Sequence, residues 1–127
     1  MAITSLLMSL ISMPFSAYGA LPTTIIQSCY DGDTCTTTNG EIIRLACIDT
    51  PELKGKRADP IPAEKARDFL NNLLIDEEVS IRRITKDRYG RTVAELFNGN
   101  INIQKLLVDK GYGQIYKKYS NQCEWSK

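Results

Sequence analysis

The sequence predicts a β-rich α+β fold: a five-stranded Greek-key barrel of the OB type with two helices, forming one domain over residues 20–127. Three observations point to it. Five short runs rich in β-branched residues are separated by Asp, Asn and Gly turns. One helical pattern falls between the third and fourth runs, and a second follows the fifth. The chain has 127 residues, enough for a single domain with its own apolar core.

The elements follow in order. Thr23–Tyr30 reads as the first strand, and the "DGD" of Asp31–Asp33 is a turn signal. Thr34–Thr38 continues as a second strand, and Asn39–Gly40 marks a hairpin. Glu41–Ile48 is the third strand, which completes a meander. Asp49–Pro62 holds three prolines and reads as a loop. Over Ala63–Leu74, Ala66, Phe69, Leu70, Leu73 and Leu74 recur at helical spacing, with Pro62 at the start. Glu78–Ile84 and Arg91–Phe97 are the fourth and fifth strands, joined by the "KDRYG" turn. Ile101–Gly111 is a helix ended by glycine, and an aromatic, basic tail follows.

The net charge of +1 argues against a strongly basic nucleic-acid binder, but the charge is unevenly placed. No Asp, Glu, Lys or Arg precedes Asp31. The apolar, serine-dotted stretch Ile3–Ala17, followed by small residues at Ala17 and Gly19, reads as a signal peptide over residues 1–19. It is too short and too broken by Pro and Ser for a membrane span. Export places Cys29, Cys35, Cys47 and Cys123 in an oxidising compartment, where an even count favours disulfides. Zinc is disfavoured, because the chain has no Cys-x-x-Cys pair and no histidine.

Without histidine, any hydrolysis must rest on carboxylates, arginines and an oxygen-seeking metal. Asp31 and Asp33 sit in one turn, and Asp49 and Glu52 just beyond the third strand. In a meander these two ends can meet. Taken alone, "DGD" is a plain turn and "DTPE" an Asx-type turn before proline. Arg44 lies in the third strand and Arg91 opens the fifth, where guanidinium forks could grip phosphate oxygens. The segment Arg82–Arg91 sets five cations against one acid, as either a solvated hairpin or a phosphate-facing edge.

Three motifs together, "DGDT" at Asp31–Thr34, "IRLACIDTPE" at Ile43–Glu52 and "DRYGRTVAEL" at Asp87–Leu96, resemble the staphylococcal nuclease family in order and spacing. The likeness covers about Thr23 to Tyr119. It implies an OB-fold, Ca²⁺-dependent phosphodiesterase that acts on flexible DNA and RNA and leaves 3′-phosphate products. By position it implies that Asp33, Asp49 and the Thr50 carbonyl ligate Ca²⁺, supported by Asp31. It implies that Glu52 acts on the attacking water, and that Arg44 and Arg91 hold the scissile phosphate. Arg88, Tyr89 and Tyr119 fall where the family contacts the nucleotide. One departure is Lys117, which stands where a pocket tyrosine is common. The resemblance also implies a long C-terminal helix packed on the barrel. The tail Asn121–Lys127 is therefore expected to be only its start, and the domain to be truncated.

Cys29 and Cys35 flank Gly32 symmetrically, so the expected pairing is Cys29–Cys35 with Cys47–Cys123; the other two connectivities remain open. The functional expectation is a secreted or periplasmic, monomeric Ca²⁺-dependent nuclease. The alternatives are a non-catalytic OB-type binding module and an inactive truncated relic.

Overall fold

A computed structural model describes residues 20–127; the expected signal peptide, residues 1–19, lies outside the described residues. Five strands close into a barrel: β1 (Thr23–Asp31), β2 (Thr34–Thr37), β3 (Ile42–Leu45), β5 (Glu78–Lys86) and β6 (Thr92–Asn98). β1, β2 and β3 form the expected antiparallel meander, and β5 pairs with the other edge of β1. β6 pairs antiparallel with β5 and, on its far side, parallel with β3, which seals the ring. That closure leaves no long free edge among the five. The predicted five-stranded OB barrel is the observed one.

Alternation explains the core. On β5, Val79 and Ile81 point inward while Ser80 and Arg82 lie on the opposite face; on β3, Ile43 and Leu45 point inward. They meet Ile26, Cys29, Cys35, Ala94 and Leu96 in one cluster, capped by Leu70 and Leu74 of α1 (Pro60–Leu74) and by Ile103 and Leu107 of α2 (Ile103–Asp109). Cys47 and Cys123 form a second, smaller cluster with Ala46.

The structure departs from the expected elements in four places. The third strand does not run unbroken to Ile48: it stops at Leu45, turns at Ala46–Cys47, and resumes as β4 (Ile48–Asp49). Cys47 sits at φ +70, a left-handed conformation that β-propensity does not anticipate. The first helix begins at Pro60, because prolines are tolerated in a first turn, where the amide hydrogens have no intrahelical partner. The second helix begins only at Ile103, with the Asn102 side chain accepting from the Lys105 amide as N-cap; Ile101–Asn102 is instead a short strand, β7, on β6. The tail forms β8 (Gln114–Ile115), paired with β4, then two 3₁₀ turns over Lys117–Gln122 and Glu124–Ser126 where the start of an α-helix is expected.

Both expected disulfides form. Cys29 lies directly opposite Cys35 in the β1–β2 register, and their bond crosses the neck of the Asp31–Asp33 turn. Cys47–Cys123 ties the tail to the break after β3. A further bond set anchors the tail: the buried Glu95 carboxylate accepts from Arg82 Nε at 2.8 Å, Trp125 Nε1 at 3.0 Å and Asn102 Nδ2 at 3.2 Å, and Arg82 also donates to the Gln122 carbonyl. Among the described residues no helix is long and apolar enough to cross a membrane.

Candidate active site

The site assembles around the β1–β2 turn. Asp31 Oδ1 accepts the Asp33 amide hydrogen at 3.1 Å, an Asx turn that aims the Asp33 carboxylate back at the barrel. Asp33 is buried; its Oδ1 accepts from the Thr34 hydroxyl and its Oδ2 from the Thr50 amide. The turn is braced from behind. A Cβ on Gly32 would stand 2.7 Å from the Ala66 methyl and 2.9 Å from Thr50 Oγ1, so only glycine lets the turn lie this close to α1 and to Thr50, just past β4. Asn71 of α1 completes the brace, accepting the Cys29 amide hydrogen at 2.7 Å and donating to the Cys29 carbonyl at 3.0 Å.

Arg44 joins the two acidic stretches. Its Nη2 lies 3.4 Å from Asp33 Oδ2 and 4.0 Å from Asp49 Oδ1, and its Nη1 donates to the Leu45 carbonyl at 2.7 Å. The turn and the end of β4 therefore meet, as the meander implied. Burial, followed by the charge of neighbouring Asp33, pushes the Asp31 carboxyl up to about 6. Two crowded acids beside a buried Thr50 hydroxyl that lacks any hydrogen-bond partner form a locally unfavourable arrangement. The donor set, Asp33, Asp49 and the Thr50 carbonyl with Asp31 behind, is all oxygen and fits a hard divalent cation. Among the described residues no three of His, Cys, Asp and Glu cluster on one point, so protein carboxylates would supply only part of its coordination shell.

Two clefts flank this seam. The larger, about 560 Å³, is lined by Arg44, Arg88, Tyr89, Arg91, Lys118 and Tyr119 among others. Arg91 is held by a neighbour: its Nε donates to Asp87 Oδ2 at 2.7 Å, and Asp87 Oδ1 accepts the amide hydrogens of Tyr89 and Arg91. Burial alone would raise the Asp87 carboxyl, but these donors together hold it below the usual carboxylate range. The guanidinium carbons of Arg88 and Arg91 lie 5.0 and 5.4 Å from the Tyr89 ring centre. The smaller cleft, about 420 Å³, takes in Asp49, Thr50, Glu52, Arg57, Asp59 and Tyr112. Glu52 is exposed there, with its carbonyl accepting the Asp59 amide hydrogen.

The expected residues are thus brought together in two groups. Arg44, Arg91, Arg88, Tyr89 and Tyr119 share the larger cleft; Asp49, Thr50 and Glu52 share the smaller; Asp33 and Arg44 stand at the junction. Sequence reasoning missed Gly32, Asn71 and Asp87 as supports and Lys118 and Arg57 as cleft residues. Asp87 had a signal, since an acid four residues before an arginine across a turn is placed to pair with it. Of the five cations in the basic hairpin, three are committed: Arg82 to Glu95, Arg83 to Glu41 and Arg91 to Asp87.

The five-stranded barrel, with a cationic, tyrosine-lined cleft that Arg44 links to the acidic turn, defines a small OB-type domain. Comparison with known proteins makes this specific. The model of the family described as "Staphylococcal nuclease homologue" matches residues 42–127, and the chain belongs to that family. The chain is 36% identical over 95 residues to an uncharacterized endonuclease of Haemophilus influenzae, covering 72% of this chain and 51% of that protein. It is 39% identical over 86 residues to the probable endonuclease LCL3 of Leptosphaeria maculans, covering 61% of this chain and 28% of the relative. It is 30% identical over 86 residues to the staphylococcal-like nuclease CAN1 of Arabidopsis thaliana, covering 67% and 25%. The chain spans about half the length, or less, of these relatives.

Proposed function

We propose that this domain hydrolyses phosphodiester bonds of DNA and RNA, with Ca²⁺ as cofactor, and leaves 3′-phosphate products. The observation that carries the reading is the Arg44 guanidinium, 3.4 Å from Asp33 and 4.0 Å from Asp49 where the two clefts meet. A phosphate at that junction has a guanidinium beside it and acids within reach. Arg44 and Arg91 donate to its non-bridging oxygens and offset the charge that grows there as water adds. Asp87 holds the Nε edge of Arg91, which leaves the Nη nitrogens for phosphate. Glu52, on the other cleft, takes a proton from the attacking water; the water oxygen bonds to phosphorus, the bond to the 5′ oxygen breaks, and that oxygen leaves as a hydroxyl by taking a proton from solvent. Arg88, Tyr89 and Tyr119 hold the adjoining nucleotide. Asp33, Asp49 and the Thr50 carbonyl, supported by Asp31, would hold Ca²⁺, which when bound neutralises phosphate charge.

The domain acts as a monomer in the exterior or periplasm. The two disulfides support that placement, since such bonds persist in oxidising compartments. The test is incubation of the mature protein with single-stranded DNA in Ca²⁺ and then in chelator. Ca²⁺-dependent cleavage is expected. A folded sample that binds DNA without cutting it would instead mark a binding module.

A further inference from the structure

The larger cleft accounts for only one direction of a bound strand. A nucleic acid is a continuous polymer with a charge at every phosphate, so a chain held at the Arg44–Asp49 junction must leave it on both sides. The two clefts are separated by one thin ribbon, β4 paired with β8. Ile48 and Tyr116 of this region face the larger cleft; Asp49 and Gln114 face the smaller. The smaller cleft therefore lies just across the ribbon from the larger, with Asp49 next in sequence to Ile48.

Arg57 is what the smaller cleft holds ready. It is exposed and lines the cleft alongside Asp49, Glu52 and Asp59, yet makes no ion pair within 4.0 Å among the described residues. The contrast with Arg44, Arg82, Arg83 and Arg91, each committed to a carboxylate, is direct. Lys54 and Lys56 stand exposed on the same loop, so Leu53–Asp59 carries three cations against Asp59 alone. The backbone fixes the loop: Ala58 N–H donates to the Gly55 carbonyl at 3.2 Å and Asp59 N–H to the Glu52 carbonyl at 2.8 Å. The loop base is thus tied to Glu52, which places its cations next to the proposed water-activating group.

We infer that Arg57, with Lys54 and Lys56, binds the phosphate of the nucleotide beyond the scissile bond, on the side opposite the Tyr89–Tyr119 cleft. This rests on the nuclease reading and extends it. The smaller cleft is a flanking subsite that makes the domain favour internal bonds of a strand over terminal ones.

The experiment compares a dinucleotide with a single-stranded 12-mer, using wild type, Arg57→Gln and, as control, Lys105→Gln on the exposed face of α2. Arg57→Gln is expected to lower the preference for the 12-mer, as a ratio of kcat/KM values, about 5- to 20-fold, mostly through KM. Lys105→Gln is expected to leave the ratio unchanged. Anisotropy of a labelled 12-mer in chelator supplies a second readout. Loss of one phosphate contact should flatten the plot of log affinity against log salt by about 0.7. An unchanged ratio with an unchanged salt slope would overturn the subsite. No cleavage by wild type would overturn the nuclease reading alone, and the salt slope would still decide whether Arg57 contacts the strand.

Discussion

Two turns of this barrel look alike in sequence and are built in opposite ways. Asp31–Asp33 and Asp87–Gly90 each place an aspartate and a glycine at a hairpin between barrel strands. The first is packed from behind by α1 and Thr50, clipped by a disulfide and crowded with acids. The second stands in solvent, with its aspartate saturated by donors from Tyr89 and Arg91. The first turn is rigid, and its Asp33 carboxylate is shared between Arg44, the Thr34 hydroxyl and the Thr50 amide. The second turn is open and neutralises its own acid, with Arg91 bonded to Asp87. Stability in the first comes from packing, and in the second from local hydrogen bonds.

The glycines break the comparison most strongly. Gly32→Ala forces a methyl against Ala66 and Thr50, and is expected to cost about 1–3 kcal/mol. Gly90→Ala meets nothing within 4 Å and bears only the left-handed φ of +82, about 1 kcal/mol. Urea midpoints of the two variants should therefore differ, with Gly32→Ala the lower; equal midpoints would show that the acidic turn can relax away from α1. Next in size, Asp87→Ala should cost about 1–2 kcal/mol by removing three hydrogen bonds from one side chain. It should also raise KM for oligonucleotides, because Arg91 loses its anchor. Asp87→Asn keeps an acceptor for the two amides, so its midpoint should fall between those of wild type and Asp87→Ala.

The pH dependence is the sharpest discriminator, because its sign reverses between the turns. The Asp31 carboxyl lies at about 6 in the fold against 3.8 for the ordinary group, so the folded state holds its proton more tightly. In chelator, this group makes stability fall as pH rises from 3.8 towards 6, and Asp31→Asn should flatten that fall. Asp87 is held below its ordinary range, so its contribution is present above 3.8 and is lost as pH falls beneath it. Denaturant midpoints across acid pH check both signs. A matching sign at the two turns would remove the contrast.

Most of the barrel was legible in the chain, for a physical reason. Alternation in Ile42–Leu45 and Glu78–Ile84, and helical spacing in Ala63–Leu74, are local consequences of burying one face. The break at Ala46–Cys47 was not legible, because a left-handed cysteine is imposed by the disulfide and by the return to β4, both long-range. The parallel β3–β6 seam was likewise a tertiary choice. At the candidate site, spacing and resemblance together singled out Arg44, Asp33 and Asp49, and the fold brings them close to one another. They did not reveal that Glu52 and Arg91 open onto different clefts, nor that Arg57 stays uncommitted while Arg83 pairs with Glu41. Which cation is left over depends on every other pairing in the fold, and a linear reading does not resolve that.

The Cys47–Cys123 bond also governs what happens to a damaged molecule. It joins residues 76 apart in sequence, and the exposed Leu53–Asp59 loop lies inside the span. A protease that cuts this loop severs the backbone but does not separate the pieces, since the stretch before the cut and the stretch after it stay covalently joined through the tail. A nicked molecule would migrate as one species until reductant is added and then fall into two. Between those events the barrel strands on either side of the cut remain tethered, so the domain can survive among proteases as a two-chain protein.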